Sequence, residues 1–185
     1  MANRVLKAVL DACVLYPTVL REILLGVAAQ GLYEPLWSDR ILREWVRATA
    51  KLGPMAQAQA TGEAAMLRAK FARGFVRENR DIEARLLLPD ANDLHVLASA
   101  IAGHADCIVT FNAVDFPRHV LAADGIERRD PDGLLWQLWS HHPGQVADVV
   151  CRVHATAEQI AGTAMPLKSL MKRAQLPKLA KAMGV

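Results

Sequence analysis

The sequence predicts an α/β fold: a doubly wound α/β/α core of three layers with a central, mostly parallel sheet, followed by a C-terminal helical extension. Three observations carry this reading. Short apolar runs without sustained alternation, at residues 5–10 and 107–110, read as strands buried on both faces. Segments of helical period lie between such runs, and strand alternating with helix builds a parallel sheet covered by helices. From Pro131 onward the pattern turns to helices only. Residues 1–130 therefore read as one domain and 131–185 as an extension packed on or beside it, near the lower limit of about 50 residues for a domain.

Residues 5–10 are aliphatic and β-branched, broken only by Lys7 and followed by Asp11. Pro17 suits a first helical turn, and Val19, Leu20, Ile23, Leu24, Val27 and Ala28 give that helix an apolar stripe up to Gly31. Residues 34–37 make a short second strand. Ser38 then caps a helix with Ile41, Leu42, Trp45, Val46 and Leu52 as its apolar residues, stopped at Gly53-Pro54. Ala60, Ala64, Leu67, Phe71 and Phe75 are spaced by three or four and predict one long helix with a single buried stripe. Residues 82–88 are a third strand candidate, ended by Pro89. Asp90 caps the next helix, whose buried face is Leu94, Leu97, Ala98 and Ile101 and whose stop is Gly103. Residues 107–110 are the fourth strand, 118–123 a short helix and 125–128 an edge strand. Helices over 134–140 and 145–160 follow, then two short basic segments split at Pro166 and Pro177.

With 185 residues, 52% hydrophobic and 22% charged, the chain has globular composition, neither disordered nor fibrous. No run approaches the roughly 18 apolar residues of a membrane span. The N-terminal MANRVLKAVLDACVLYP lacks a leader-cleavage pattern and reads as the first strand of a cytoplasmic protein. Cys13, Cys107 and Cys151 are odd in number and unpaired in spacing, which fits free thiols in a reducing compartment. Net charge is +3, unevenly spread: residues 39–80 carry nine Lys or Arg against four acids, and 166–185 carry five and no acid. A polyanion finds basic surface there, as does plain solvation.

The acids carry the chemistry. A carboxylate beside a buried strand is costly unless solvated, paired or bound to a cation, and strand ends are where open parallel sheets bind ligands, which singles out Asp11. Taken singly, the others have plainer explanations. Asp93 suits the first turn of a helix. Asp90 is chiefly a cap with room for a water-mediated role, Asp115 and Asn112 are turn residues, and Glu44 pairs with Arg40 or Arg47. Jointly, Asp11 and Asp115 follow core strands, Asp93 opens the helix feeding one of them, and Glu44 leans toward the same edge. Converging carboxylates repel, and a hard divalent cation stabilises them; ligands of oxygen alone favour Mg2+ or Mn2+ over Zn2+. Cys151, His154 and the His141-His142 pair lack zinc-site spacing, and His95 and His104 read as ordinary helix residues.

DACVLYP at 11–17, SDRILREW at 38–45, PDANDLHVLASAI at 89–101 and IVTFNAVDFP at 108–117, in that order, resemble a PIN domain of the VapC-like toxin type. The resemblance implies a three-layer α/β/α PIN-like fold and a metal-dependent endoribonuclease that cleaves single-stranded or structured RNA. It also implies an antitoxin partner and a homodimer. Asp11 resembles the family's first acid, Glu44 the second and Asp93 the third. At the fourth position, where many members carry Asp, this chain has Asn112 and then Asp115, either of which completes the site. Thr110 resembles a polar residue commonly found beside it. On this reading Asp11, Asp93 and Asp115 or Asn112 hold Mg2+ or Mn2+, directly or through water. Glu44 is a ligand or the base for the attacking water, and the product carries a 5′-phosphate and a 3′-hydroxyl. Arg40, Arg43 and Arg47 grip the substrate backbone, making binding salt-dependent; Trp37 and Trp45 are candidates to stack a base, although the helical spacing of Trp45 reads first as core. The alternative is a catalytically silent PIN-like module that binds RNA or protein, against which the intact Asp11, Glu44, Asp93 set speaks. An aspartyl-phosphate enzyme built on Asp11 wants a second Asp where Cys13 stands.

Overall fold

A computed structural model describes residues 5–185; residues 1–4, which begin the stretch read against a leader, lie outside the described residues. Four strands, β1 (Lys7–Leu10), β2 (Glu34–Leu36), β3 (Cys107–Val109) and β4 (Glu127–Arg129), form one all-parallel sheet in the order β2-β1-β3-β4. Val9 pairs with Leu36 on one side and Ile108 on the other, and Val109 pairs with Arg129. Ala8, Val9, Leu10 and Cys107 to Val109 are fully buried, which is why these strands read as unbroken apolar runs.

The helices are α1 (Ala12–Leu15), α2 (Thr18–Ala29), α3 (Asp39–Thr49), α4 (Pro54–Lys70), α5 (Arg80–Glu83), α6 (Leu94–Ala102), α7 (Arg118–Ala122), α8 (Pro131–His141), α9 (Pro143–Ala161), α10 (Leu167–Arg173) and α11 (Pro177–Ala182). With helices flanking a parallel sheet, the fold is of the three-layer α/β/α class. Among the described residues no helix is long and apolar enough to cross a membrane.

The chain forms two compact units. One takes Tyr33–Arg129 with the chain before Pro17; the other takes Pro17–Leu32 with Asp130–Val185. In the first, α6 packs on β1 and β3, and α3 packs on α4, with Ile41, Leu42 and Trp45 of α3 and Ala60, Ala64 and Leu67 of α4 buried. In the second, α2 packs on α9 so closely that a Cβ at Gly26 would stand 2.6 Å from Val149 Cγ1. There Asp132, buried in the first turn of α8, accepts from the backbone N–H of Lys178 (2.7 Å) and Leu179 (2.9 Å), capping α11 from another helix.

Several sequence expectations need correction. Residues 82–88 are not a strand: Asn79 accepts from the N–H groups of Asp81 and Ile82 and starts α5, after which the chain is irregular. The helix expected through Phe75 stops at Lys70, because Gly74 runs against the backbone of β2, where a Cβ would stand 2.3 Å from Pro35 O. Leu52 is exposed in a 3-10 turn rather than packed. Asp90 caps the 3-10 turn Ala91–Asp93 ahead of α6, not α6 itself.

Candidate metal centre

The site begins where the two central strands end. The Asp11 N–H donates to Val109 O (3.1 Å), extending the β1–β3 ladder by one step. Asp11 is at the N-cap position of α1, a helix too short to be foreseen, yet its side chain makes no capping bond. Instead Oδ2 accepts from Thr110 Oγ1 (2.7 Å) and from the Cys13 thiol (3.1 Å), with Asp11 only 7% exposed. Thr110 Oγ1 also accepts from Asn112 N–H (2.9 Å), and Cys13 Sγ accepts from Phe111 N–H (3.3 Å). One hydroxyl thus ties the strand-end carboxylate to the turn after β3. Burial and then the Asp11 charge push the Cys13 thiol up to about 12, so it stays protonated and serves as a donor.

Two turns bring the remaining acids in. In the 3-10 turn before α6, Asp90 Oδ1 accepts from the backbone N–H (2.8 Å) and side-chain amide (3.0 Å) of Asn92, which fixes the turn that presents Asp93. Asp93 holds the N-cap position of α6 without making a cap bond. In the turn after β3, Phe116 is fully buried as an anchor, and Arg128 of β4 donates to Ala113 O and to Phe116 O (3.0 Å). That brace presents Asp115. Carboxylate oxygens of Asp90, Asp93 and Asp115 lie within 4.8 Å of one another, each partly buried. Neither Asp11 nor Glu44 belongs to that mutual group, although the Asp11 charge reaches Asp93.

The electrostatics follow. Burial, then the charges of Asp11, Asp90 and Asp115, push Asp93 from its ordinary 3.8 up to about 6, with His95 acting weakly the other way. The Asn112 side-chain amide donates to Asp115 Oδ2 and, at 3.5 Å, to Asp93 Oδ2. An amide between two carboxylates offers only partial positive charge. A donor set made wholly of oxygens and carrying this much mutual repulsion fits a hard divalent cation such as Mg2+ or Mn2+.

Glu44 stands apart on α3, its carboxylate 3.4 Å from Arg40 Nε and 3.0 Å from His95 Nε2. Arg40 also reaches Glu83 (3.0 Å) and Asn92 O (3.4 Å), and Arg43 pairs with Glu78 (2.9 Å). Arg47 is exposed, with no partner among the described residues. Trp37 and Trp45 are both fully buried, Trp37 edge-on to Phe71 at 5.8 Å, so neither is open to stack a base. Three contributors escaped the sequence reading: His95, Cys13 and Arg128. Cys13 had a local signal, since it lies two residues after Asp11. His95 had the same kind of signal, two residues after Asp93, but its partner Glu44 is remote in sequence, and Arg128 had no local signal.

A family model described as PIN domain matches residues 7–113. The match spans Asp11, Glu44, Asp90, Asp93, Thr110 and Asn112 and stops short of Asp115. No curated protein and no solved structure matches the chain.

Proposed function

The chain belongs to the PIN domain family, a family generally of nucleases that use divalent metals, and on that premise we propose that it is a Mg2+- or Mn2+-dependent endoribonuclease. It hydrolyses phosphodiester bonds of single-stranded or structured RNA, as the toxin of a toxin–antitoxin pair. The observation that supports this reading is the convergence of Asp90, Asp93 and Asp115 beside the strand-end Asp11. Mg2+ or Mn2+ bound there supplies Lewis acidity to the phosphate and lowers the pKa of a water. Asp93, Asp115 and Asp90 furnish carboxylate oxygens for that ion, and Asp11 adds its charge directly or through water. Glu44 takes the proton from the attacking water. The water oxygen bonds to phosphorus, the bond from phosphorus to the 3′-oxygen breaks, that oxygen takes a proton from solvent, and the products carry a 5′-phosphate and a 3′-hydroxyl.

The RNA would run along the cleft of about 560 Å3 lined by Arg40, Arg43 and Arg80 with Glu78 and Glu83, beside the turn that carries Asp90. Its phosphates compete there with salt. The partner is a cognate antitoxin protein, and the working form is a cytoplasmic homodimer.

The deciding experiment is RNA cleavage by wild type and Asp93→Asn with Mg2+, with Mn2+ and with EDTA. Wild type should cleave with either metal and stop in EDTA, and Asp93→Asn should lose about 10²–10³-fold. Equal cleavage in every condition would remove the metal site. Tight, salt-sensitive RNA binding without cleavage would instead favour a silent RNA-binding module.

A further inference from the structure

We infer that His95 is a positioning residue whose imidazole fixes the Glu44 carboxylate, an inference that rests on reading Glu44 as the base. His95 is 3% exposed on α6, two residues past Asp93. Neither ring nitrogen has a hydrogen-bond partner among the described residues, but Nε2 lies 3.0 Å from Glu44 Oε1. Burying an imidazole with no bond made is unfavourable, and an apolar side chain would fill the same slot at less cost. With a carboxylate oxygen 3.0 Å from Nε2, the proton belongs there.

The same oxygen of Glu44 has a second neighbour. Arg40 Nε stands 3.4 Å from Oε1, and its guanidinium is itself braced by Glu83 (3.0 Å) and by Asn92 O (3.4 Å) in the turn between Asp90 and Asp93. Glu44 is 31% exposed and so reaches solvent, yet a buried ring and a braced guanidinium both bear on its carboxylate. A flexible glutamate confined this way is pre-set for proton transfer.

The test uses His95→Leu, His95→Gln and Glu44→Gln in the full chain, with Mn2+-dependent RNA cleavage, thermal melts and the NMR signal of the His95 Nε2 proton. His95→Leu should lower kcat about ten- to a hundredfold at unchanged KM. His95→Gln, whose amide N–H can still reach Glu44, should recover most of that loss. Adding His95→Leu to Glu44→Gln should cost nothing further. The Nε2 proton signal should move when Glu44 becomes Gln, whether or not the protein cleaves RNA. The inference is overturned by equal losses in the Leu and Gln variants, by the full His95→Leu penalty persisting in Glu44→Gln, or by an Nε2 signal indifferent to Glu44. An inactive wild type whose Nε2 signal still responds to Glu44→Gln counts against RNA cleavage and supports the His95–Glu44 contact.

Discussion

The acids of the site are held in two different ways. Asp11 sits at the end of a central strand, 7% exposed, with two side-chain donors on one oxygen and its own N–H in the β1–β3 ladder. Asp90, Asp93 and Asp115 sit on turns, partly buried and within 4.8 Å of one another, with one amide between two of them. The first arrangement stabilises its charge with the protein's own hydrogen bonds. The second leaves charge uncompensated, so it gains most from a cation. A rigid strand end sets the location of such a site, and adjustable turns set its affinity.

That contrast can be broken by removing the strand-borne acid. Asp11→Asn should reduce RNA cleavage by about 10²–10³-fold while leaving the fold intact; retention of wild-type turnover would show that the turn acids work without it. A thermal readout comes next. At a hundredfold excess over Kd, Mn2+ should raise Tm by about 5–10 °C, and Asp93→Asn should erase most of that rise. An equal rise in both proteins would move the metal elsewhere. Thr110→Val removes the shortest hydrogen bond to Asp11 and should cost about 1.5–3 kcal/mol in urea unfolding, more than Asn92→Ala at the exposed turn; the reverse ranking would reverse the comparison.

The smallest effect is a pH dependence. Because the fold raises Asp93 from 3.8 to about 6, its protonated form is favoured in the folded state. Its stabilising contribution is complete below about pH 4 and is lost as pH rises through about 6. In EDTA, the Tm of wild type should therefore fall relative to Asp93→Asn across that window. Parallel curves would show that the turn acids do not repel as described.

The sequence carried the fold well where burial wrote a local pattern. The strands expected at residues 5–10, 34–37, 107–110 and 125–128 appear as β1 to β4 with ends shifted by one or two residues. It misled where a local run had no partner: Leu86 to Leu88 look strand-like, but Leu87 is 85% exposed and, among the described residues, no strand pairs with it. The end of α4 was hidden because it is set by Gly74 against Pro35, a contact between distant segments. Within the site, Asp11 was legible from its place after an apolar run, and Asp90 as a cap. The mutual approach of Asp90 to Asp115, and the burial of His95 against Glu44, depend on how two turns and two helices meet, which no spacing encodes.

The packing of α2 on α9 has a consequence for how the chain is made. Leu20, Ile23, Leu24 and Val27 are fully buried in the finished protein, yet α2 emerges from the ribosome long before α9 does. Synthesis of the intervening chain takes roughly ten seconds, and through that interval part of the cover for α2 does not exist. A chaperone that binds apolar helices has its opening then, and a message cut short after codon 130 would leave that interval without an end.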